Sequence, residues 1–248
     1  MKILIVVSCL IGISLAEIVE RPFFMQPCKR IDPNRNECVR ESIENFLHGL
    51  EKNPTYYNDL RFEPLEYGPI TFRYDYENLF KTTFTFLECK CYGLQNARVL
   101  KTKTYFSDKE MRLHALVKHP KLWVNGEYEG SGELGTFKSA DRGTFNVTML
   151  DVTTKWTVKG SVVNRNGVDF LNIDFFDINP DAKGMKLTAT GERTNQLLIK
   201  TLIDVANQNW RTFFEIMIPE SRKQWQPEFK KLSNRIIRNI PYNTLSLI

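Results

Sequence analysis

Between Leu198 and Met217 apolar residues recur three or four apart, at Leu198, Leu202, Ala206, Trp210, Phe213 and Met217. A second set, Leu197, Ile199, Ile203, Val205, Phe214 and Ile216, widens that stripe beyond one face. A helix apolar around most of its circumference has to be surrounded by protein, so the rest of the chain must wrap it. Pro219 is expected to kink or end the helix, and Trp225, Phe229, Leu232 and Ile236 resume the spacing up to Pro241. Spread over about 45 residues, such a region is roughly 65 Å long at 1.5 Å per residue.

The wrapping material precedes it. From about Pro69 to Thr190 the pattern is period-two alternation rich in β-branched and aromatic residues, the mark of strands with one buried face. One row is Ile70, Phe72, Tyr74 and Tyr76, and another is Met111, Leu113, Ala115 and Val117. Further rows are Phe145, Val147 and Met149, then Trp156 and Val158, then Met185, Leu187 and Ala189. Together they predict a large, mostly antiparallel sheet. Val39, Ile43, Phe46, Leu47 and Leu50 predict an opening helix from Asn36, ended by Gly49 and Pro54. A sheet wrapped around a long helix needs no second domain, and a wide wrap leaves an apolar interior with room for a guest.

Residues 1–16 read as a secretory signal: Lys2 is positive, Ile3 to Ile13 are mostly apolar, and Ser14-Leu15-Ala16 suits cleavage. Residues 17–248 then form one domain, and no later segment has the roughly 20 apolar residues that span a bilayer. Removing Lys2 leaves 33 Lys and Arg of the 34, against 29 acids. That balance is too mild to imply nucleic acid, and the basic stretch from Lys223 to Arg238 fits the polar face of a helix.

Cys9 leaves with the signal. Cys28 and Cys38 flank a turn-rich loop in what would be an oxidising compartment, so a disulfide is expected between them; a metal pair lacks the short Cys/His spacing. Leu87, Cys89 and Cys91 share one face of a strand. Cys89 and Cys91 read as small buried hydrophobes, with a bridge between them, or to another chain, as the alternatives.

Catalytic machinery is not visible. Gly130-Ser131-Gly132-Glu133-Leu134-Gly135 matches the dinucleotide fingerprint as text, but strand sequence at Phe145-Asn146-Val147 follows where a helix is required, so a turn is expected. His48, His114 and His119 lack metal spacing, and a solvated face is the expected setting. No GxSxG, HExxH or Walker lysine occurs. Asn146-Val147-Thr148 is a glycosylation sequon, with Asn146 pointing opposite to Phe145 and Val147.

Several of these residues, in order, resemble the takeout family of secreted arthropod proteins, relatives of the juvenile hormone binding proteins. They are the Cys28 to Cys38 spacing with Cys38-Val39-Arg40-Glu41-Ser42-Ile43, then Pro64-Leu65, Tyr92-Gly93-Leu94, and Pro120-Lys121-Leu122 running into Gly126-Glu127-Tyr128. Asn207-Gln208-Asn209-Trp210 and Pro241-Tyr242 complete the set. The resemblance implies an α+β fold in which a curved sheet wraps a long C-terminal helix and encloses a hydrophobic tunnel for one elongated lipid or terpenoid, without enzymatic activity. Cys89 and Cys91 stand where the family has valines, and Asn243 where an acid is usual. The second disulfide of the hormone-binding branch has no counterpart, which favours a takeout-like protein.

The expected function is that of a secreted, monomeric carrier of a small hydrophobic ligand, needing no cofactor, metal, nucleic acid or stable membrane insertion. Candidate wall residues are Phe72, Tyr74, Leu87, Cys89, Leu113, Val124, Trp156, Phe213 and Met217, with Phe213 and Met217 facing Leu113 and Trp156. Tyr128 is the candidate hydrogen-bonding group for a polar end of the ligand. The alternatives are an extracellular interaction protein that engages a receptor and contains a structural lipid, and a lipid-transfer protein acting at a membrane surface.

Overall fold

The computed structural model of the chain describes residues 18–52, 63–76, 80–134, 137–193 and 196–247. The signal segment and Pro54 lie outside the described residues. Two very long strands organise the rest: β6 (Glu110–Leu134) and β7 (Phe137–Arg165) pair antiparallel from Glu110 with Ser161 to Leu134 with Phe137. On the far side of β6 lie β4 (Phe80–Tyr92) and β5 (Arg98–Phe106), and β2 (Leu65–Tyr67) and β3 (Ile70–Tyr76) pair with β4. On the far side of β7 lie β8 (Val168–Asp181) and β9 (Gly184–Gly191). The sheet is antiparallel throughout, and α1 (Arg35–Lys52) packs Ile43 and Leu47 against Ala97, Val99, Ala115 and Val117.

Burial in the long strands changes phase midway. Val117 and His119 are buried at odd positions of β6, yet the next buried residue is Leu122; on β7, Phe145 is buried at an odd position but Val152, Thr154 and Val158 at even ones. The switch falls where Pro120 lies beside Asp151, whose φ of 51° is left-handed. Lys118 and Lys183 both pair with the Asp151 carboxylate at this switch, at 2.8 and 2.6 Å.

The C-terminal helix has two segments, α2 (Gln196–Gln208) and α3 (Trp210–Ile237). The break falls at Asn209 and not at Pro219, which lies inside α3 along with Pro227. Three side-chain amides fasten the pair to the borders of the sheet. Asn207 accepts from the Leu187 N–H (2.7 Å) and donates to its carbonyl (2.9 Å) on β9. Asn234 does the same to Ile173 on β8 (2.7 and 2.8 Å), and Gln224 to Thr71 on β3 (2.9 and 2.6 Å). β3 lies on one border, β8 and β9 on the other, so the helix bridges the two edges of a curled sheet. It satisfies backbone groups that an edge strand otherwise leaves bare. The helix is therefore not covered all round: Val205, Phe213 and Ile216 are 48%, 41% and 49% exposed.

Two local expectations change. Gly49 does not end α1 but lies within it, where a Cβ would stand 2.4 Å from the Phe24 ring. Gly130 to Leu134 continue β6 instead of forming a turn, and a Cβ on Gly130 would meet the Phe84 ring at 2.8 Å. Phe84 occupies the place a side chain would take. Gly135 lies outside the described residues.

The chain ends are clasped together. β1 (Cys28–Lys29) pairs in parallel with β10 (Ser246–Leu247), which follows the short helix α4 (Tyr242–Leu245). Tyr242 is buried against Met111, Val158, Leu171 and Ile173, donates its hydroxyl to the Ser107 carbonyl at 3.1 Å and carries the Arg30 guanidinium over its ring at 4.4 Å. The expected Cys28–Cys38 disulfide ties the same arm to α1.

Candidate functional site

The sheet face turned toward the helices is the candidate site. Two apolar regions lie along it. At one end Phe86 meets Phe72 at 5.4 Å and Phe145 at 4.3 Å between ring centroids, and Phe86 is the strand partner of both Ile70 and Tyr128. At the other end Trp156 meets Phe176 at 5.5 Å, and Phe176 meets Phe229 of α3 at 5.8 Å. Between them Leu122, Val152 and Ala182 pack around Phe214, with Met149, Met185, Trp210 and Ile218 at the margin.

The candidate residues fall unevenly on this surface. Phe72 belongs to the first aromatic group, and Cys89 and Val124 lie on the same inner rows, Cys89 opposite Gly126 and Val124 opposite Cys91 and Val147. Tyr74 pairs with Thr82 in the backbone ladder; its side chain is outside the described residues. Leu87 is not in register with Cys89. The pairing of β4 with β6 jumps from Phe86–Tyr128 to Cys89–Gly126, an extra residue on β4, so Phe86 holds the inward position. Leu113 packs against the residues around both Met111 and Val117, and Trp156 donates its indole N–H to the Thr154 hydroxyl at 2.9 Å. Met217 is half-buried. Phe213 is exposed while its neighbour Phe214 is 5% exposed, and the helix residue reached through Trp156 and Phe176 is Phe229. Phe86, Phe145, Phe176 and Phe229 join the face beyond the candidates that sequence supplies; alternation through Phe145 and helical spacing through Phe229 are their signals in the chain.

Polar groups on this face are few. Tyr128 is half-buried, makes no hydrogen bond to a described residue, and has its hydroxyl pKa raised by burial and by the nearby Asp141 carboxylate. His119 is 2% exposed, in contrast to the solvated setting expected of it, and neither ring nitrogen has a partner among the described residues. Burial pulls its pKa down to about 4, so the ring is neutral. His114 is exposed, as expected. Cys89 and Cys91 are free and buried, and burial pushes both thiols up to about 12. Asn146 lies opposite Asn125 and Thr188 on the outer face, half-buried, with its side-chain oxygen accepting from Thr148 at 3.3 Å. Among the described residues no three His, Cys, Asp or Glu side chains gather as a metal site, and no helix is long and apolar enough to cross a membrane.

Comparison with known proteins follows this architecture. The family model described as haemolymph juvenile hormone binding protein matches residues 3–247. Among solved structures, Takeout 1 of Epiphyas postvittana superposes with a TM-score of 0.67 at 17% identity, over 90% of this chain and 100% of that one. Lipopolysaccharide binding protein aligns at a TM-score of 0.31 and 9% identity, over 76% of this chain and 38% of that one. No curated protein matches the chain in sequence.

Proposed function

From the premise that the chain belongs to the haemolymph juvenile hormone binding protein family, we propose that it is a secreted carrier holding one elongated hydrophobic molecule between the sheet and the C-terminal helix. The observation that carries this reading is the inner face itself: aromatic groups at both ends, aliphatic packing between, and two polar groups, Tyr128 and His119, with no hydrogen-bond partner among the described residues. A site for a lipid or terpenoid is mostly apolar, with a small number of polar groups that fix orientation. Phe213 and Ile216, each less than half exposed, add apolar surface on the helix. The ligand's oxygen function would meet Tyr128 or His119, and its hydrocarbon the aromatic ends. The signal-like residues 1–16 support export, and Asn146 on the outer face would carry a glycan without entering the site. The two buried thiols on the inner face, Cys89 and Cys91, remain protonated, so neither is a ready nucleophile.

The test is a displacement titration of the delipidated protein with a fluorescent fatty probe, run beside a thermal unfolding curve. Met217→Trp adds bulk at a half-buried wall position, where a solid core would resist it at about 1–3 kcal/mol. An open site gives weakened probe binding with a nearly unchanged midpoint. A lowered midpoint with unchanged binding places Met217 in ordinary core, and failure of the unmutated protein to bind any apolar probe overturns the carrier reading.

A further inference from the structure

The outer face of β5, β6, β7 and β8 carries an arrangement that the carrier reading does not use. Strand register sets three adjacent rows across it. Lys101 lies beside Leu116 and Lys155; Lys103 lies beside His114 and Thr157; Tyr105 lies beside Arg112, Lys159 and Phe175. Arg98 stands opposite Lys118, as Arg112 stands opposite Lys159. Like charges directly opposite each other on a sheet are destabilising, so the fold alone gains nothing from either pair. Acids neutralise part of the set: Glu110 holds Arg112 at 2.8 Å and Asp151 holds Lys118. Asp177, across from Thr157, is engaged by Arg222 and Gln226 of α3. Arg98, Lys101, Lys103, Lys155 and Lys159 remain exposed with no acidic partner among the described residues.

Apolar side chains interrupt the positive charge. Leu100, Tyr105 and Phe175 are 50%, 51% and 38% exposed, and the last two frame the cations of their row, Arg112 at 5.9 Å from the Tyr105 ring and Lys159 at 5.8 Å from the Phe175 ring. An open groove of about 860 Å³ runs beside that row, with Asp108, Glu110 and Asp174 at its foot. Free cations flanked by aromatic and aliphatic side chains are what an anionic bilayer surface recognises: lipid phosphates and carboxylates meet the Lys and Arg groups, and the apolar side chains enter the headgroup boundary. A polysaccharide sulfate would use the charges and leave Leu100 and Phe175 without a role.

We propose that this outer face docks the protein on anionic phospholipid bilayers. The purpose, exchange of cargo at a membrane, rests on the carrier reading; the docking itself does not. The experiment is co-sedimentation of the mature protein with phosphatidylcholine vesicles containing or lacking phosphatidylserine, with salt added in a parallel series. Binding is expected only with phosphatidylserine and is reversed by salt. Lys101→Glu, Lys103→Glu and Lys155→Glu together lower the partition constant at least about tenfold, each basic residue near the surface being worth on the order of 1 kcal/mol. Tyr105→Ser with Phe175→Ser weakens binding at unchanged charge. The proposal is overturned if the unmutated protein ignores the anionic vesicles or is retained by heparin alone. It is equally overturned if reversing Lys223, Lys230 and Lys231 on the exposed side of α3 weakens binding as much, since net charge would then be the cause. Fatty-probe binding measured on the same samples separates the two readings: uptake without vesicle binding removes only the docking face, and vesicle binding without uptake removes only the carrier.

Discussion

His119 is buried without a hydrogen bond to any described residue, and the cost of that position depends on pH. Its pKa lies at about 4 in the folded chain against 6.5 for a free imidazole, because burial disfavours the charged ring. The unfolded chain therefore takes up the proton first as pH falls. Stability held above the unfolded value is lost on acidification through the window from about 6.5 to about 4, by on the order of 3 kcal/mol in full. His119→Leu is expected to flatten that limb of a urea midpoint measured against pH. An unchanged pH profile in the variant would mean that another group governs the acid transition. Cys89 illustrates a different side of burial: the Tyr67 hydroxyl donates toward its sulfur and pulls the thiol down, but burial outweighs this and also pushes the Tyr67 hydroxyl up, so neither group is ready for chemistry.

At the level of the elements, the sheet is closed by amides and not by another strand. Asn207, Gln224 and Asn234 each offer one acceptor and one donor to a single backbone residue, the pattern a neighbouring strand would have supplied. Asn234→Leu leaves the N–H and C=O of Ile173 without a partner beside a residue that is only 2% exposed. The expected loss is about 2–6 kcal/mol, since each of the two buried groups left unsatisfied costs roughly 1–3 kcal/mol. Asn207→Leu is expected to cost less, because Leu187 is only half-buried and water reaches its backbone more easily. Denaturant midpoints of the two variants decide the order. These amides explain what sequence alone could reach. The row Met111, Leu113, Ala115 and Val117 announces its strand through local alternation, and Trp210 to Met217 announces the helix. The Asn and Gln clamps join residues far apart in the chain and leave no periodic trace. The phase switch at Pro120 and Asp151 and the extra residue at Leu87 and Glu88 are decided by the partner strand, so local alternation puts Leu87 in the row of Cys89 where the structure has Phe86.

On the scale of the whole molecule, the clasp of the two chain ends holds the lower core together. Tyr242 joins strands β6, β7 and β8 through its packing and the β5–β6 connection through its bond to Ser107, while Arg30 covers its ring. Tyr242→Ala is expected to cost about 3–5 kcal/mol, the range for removing a buried aromatic. Hydrogen exchange should accelerate first at β1 and β10; uniform acceleration across the sheet would contradict a local clasp. The helix that bridges the sheet borders has a further consequence, which concerns the order in which the chain is made. Every strand from β2 to β9 is encoded before α2 and α3. While it emerges from the ribosome, the sheet thus stands with β3 on one side and β8 and β9 on the other presenting unpaired backbone, the condition in which nascent β-proteins adhere to one another. Protection arrives only with Asn207, Gln224 and Asn234, so a chain cut before Gln196 is expected to aggregate where the full chain does not, and a soluble truncated sheet would contradict this order.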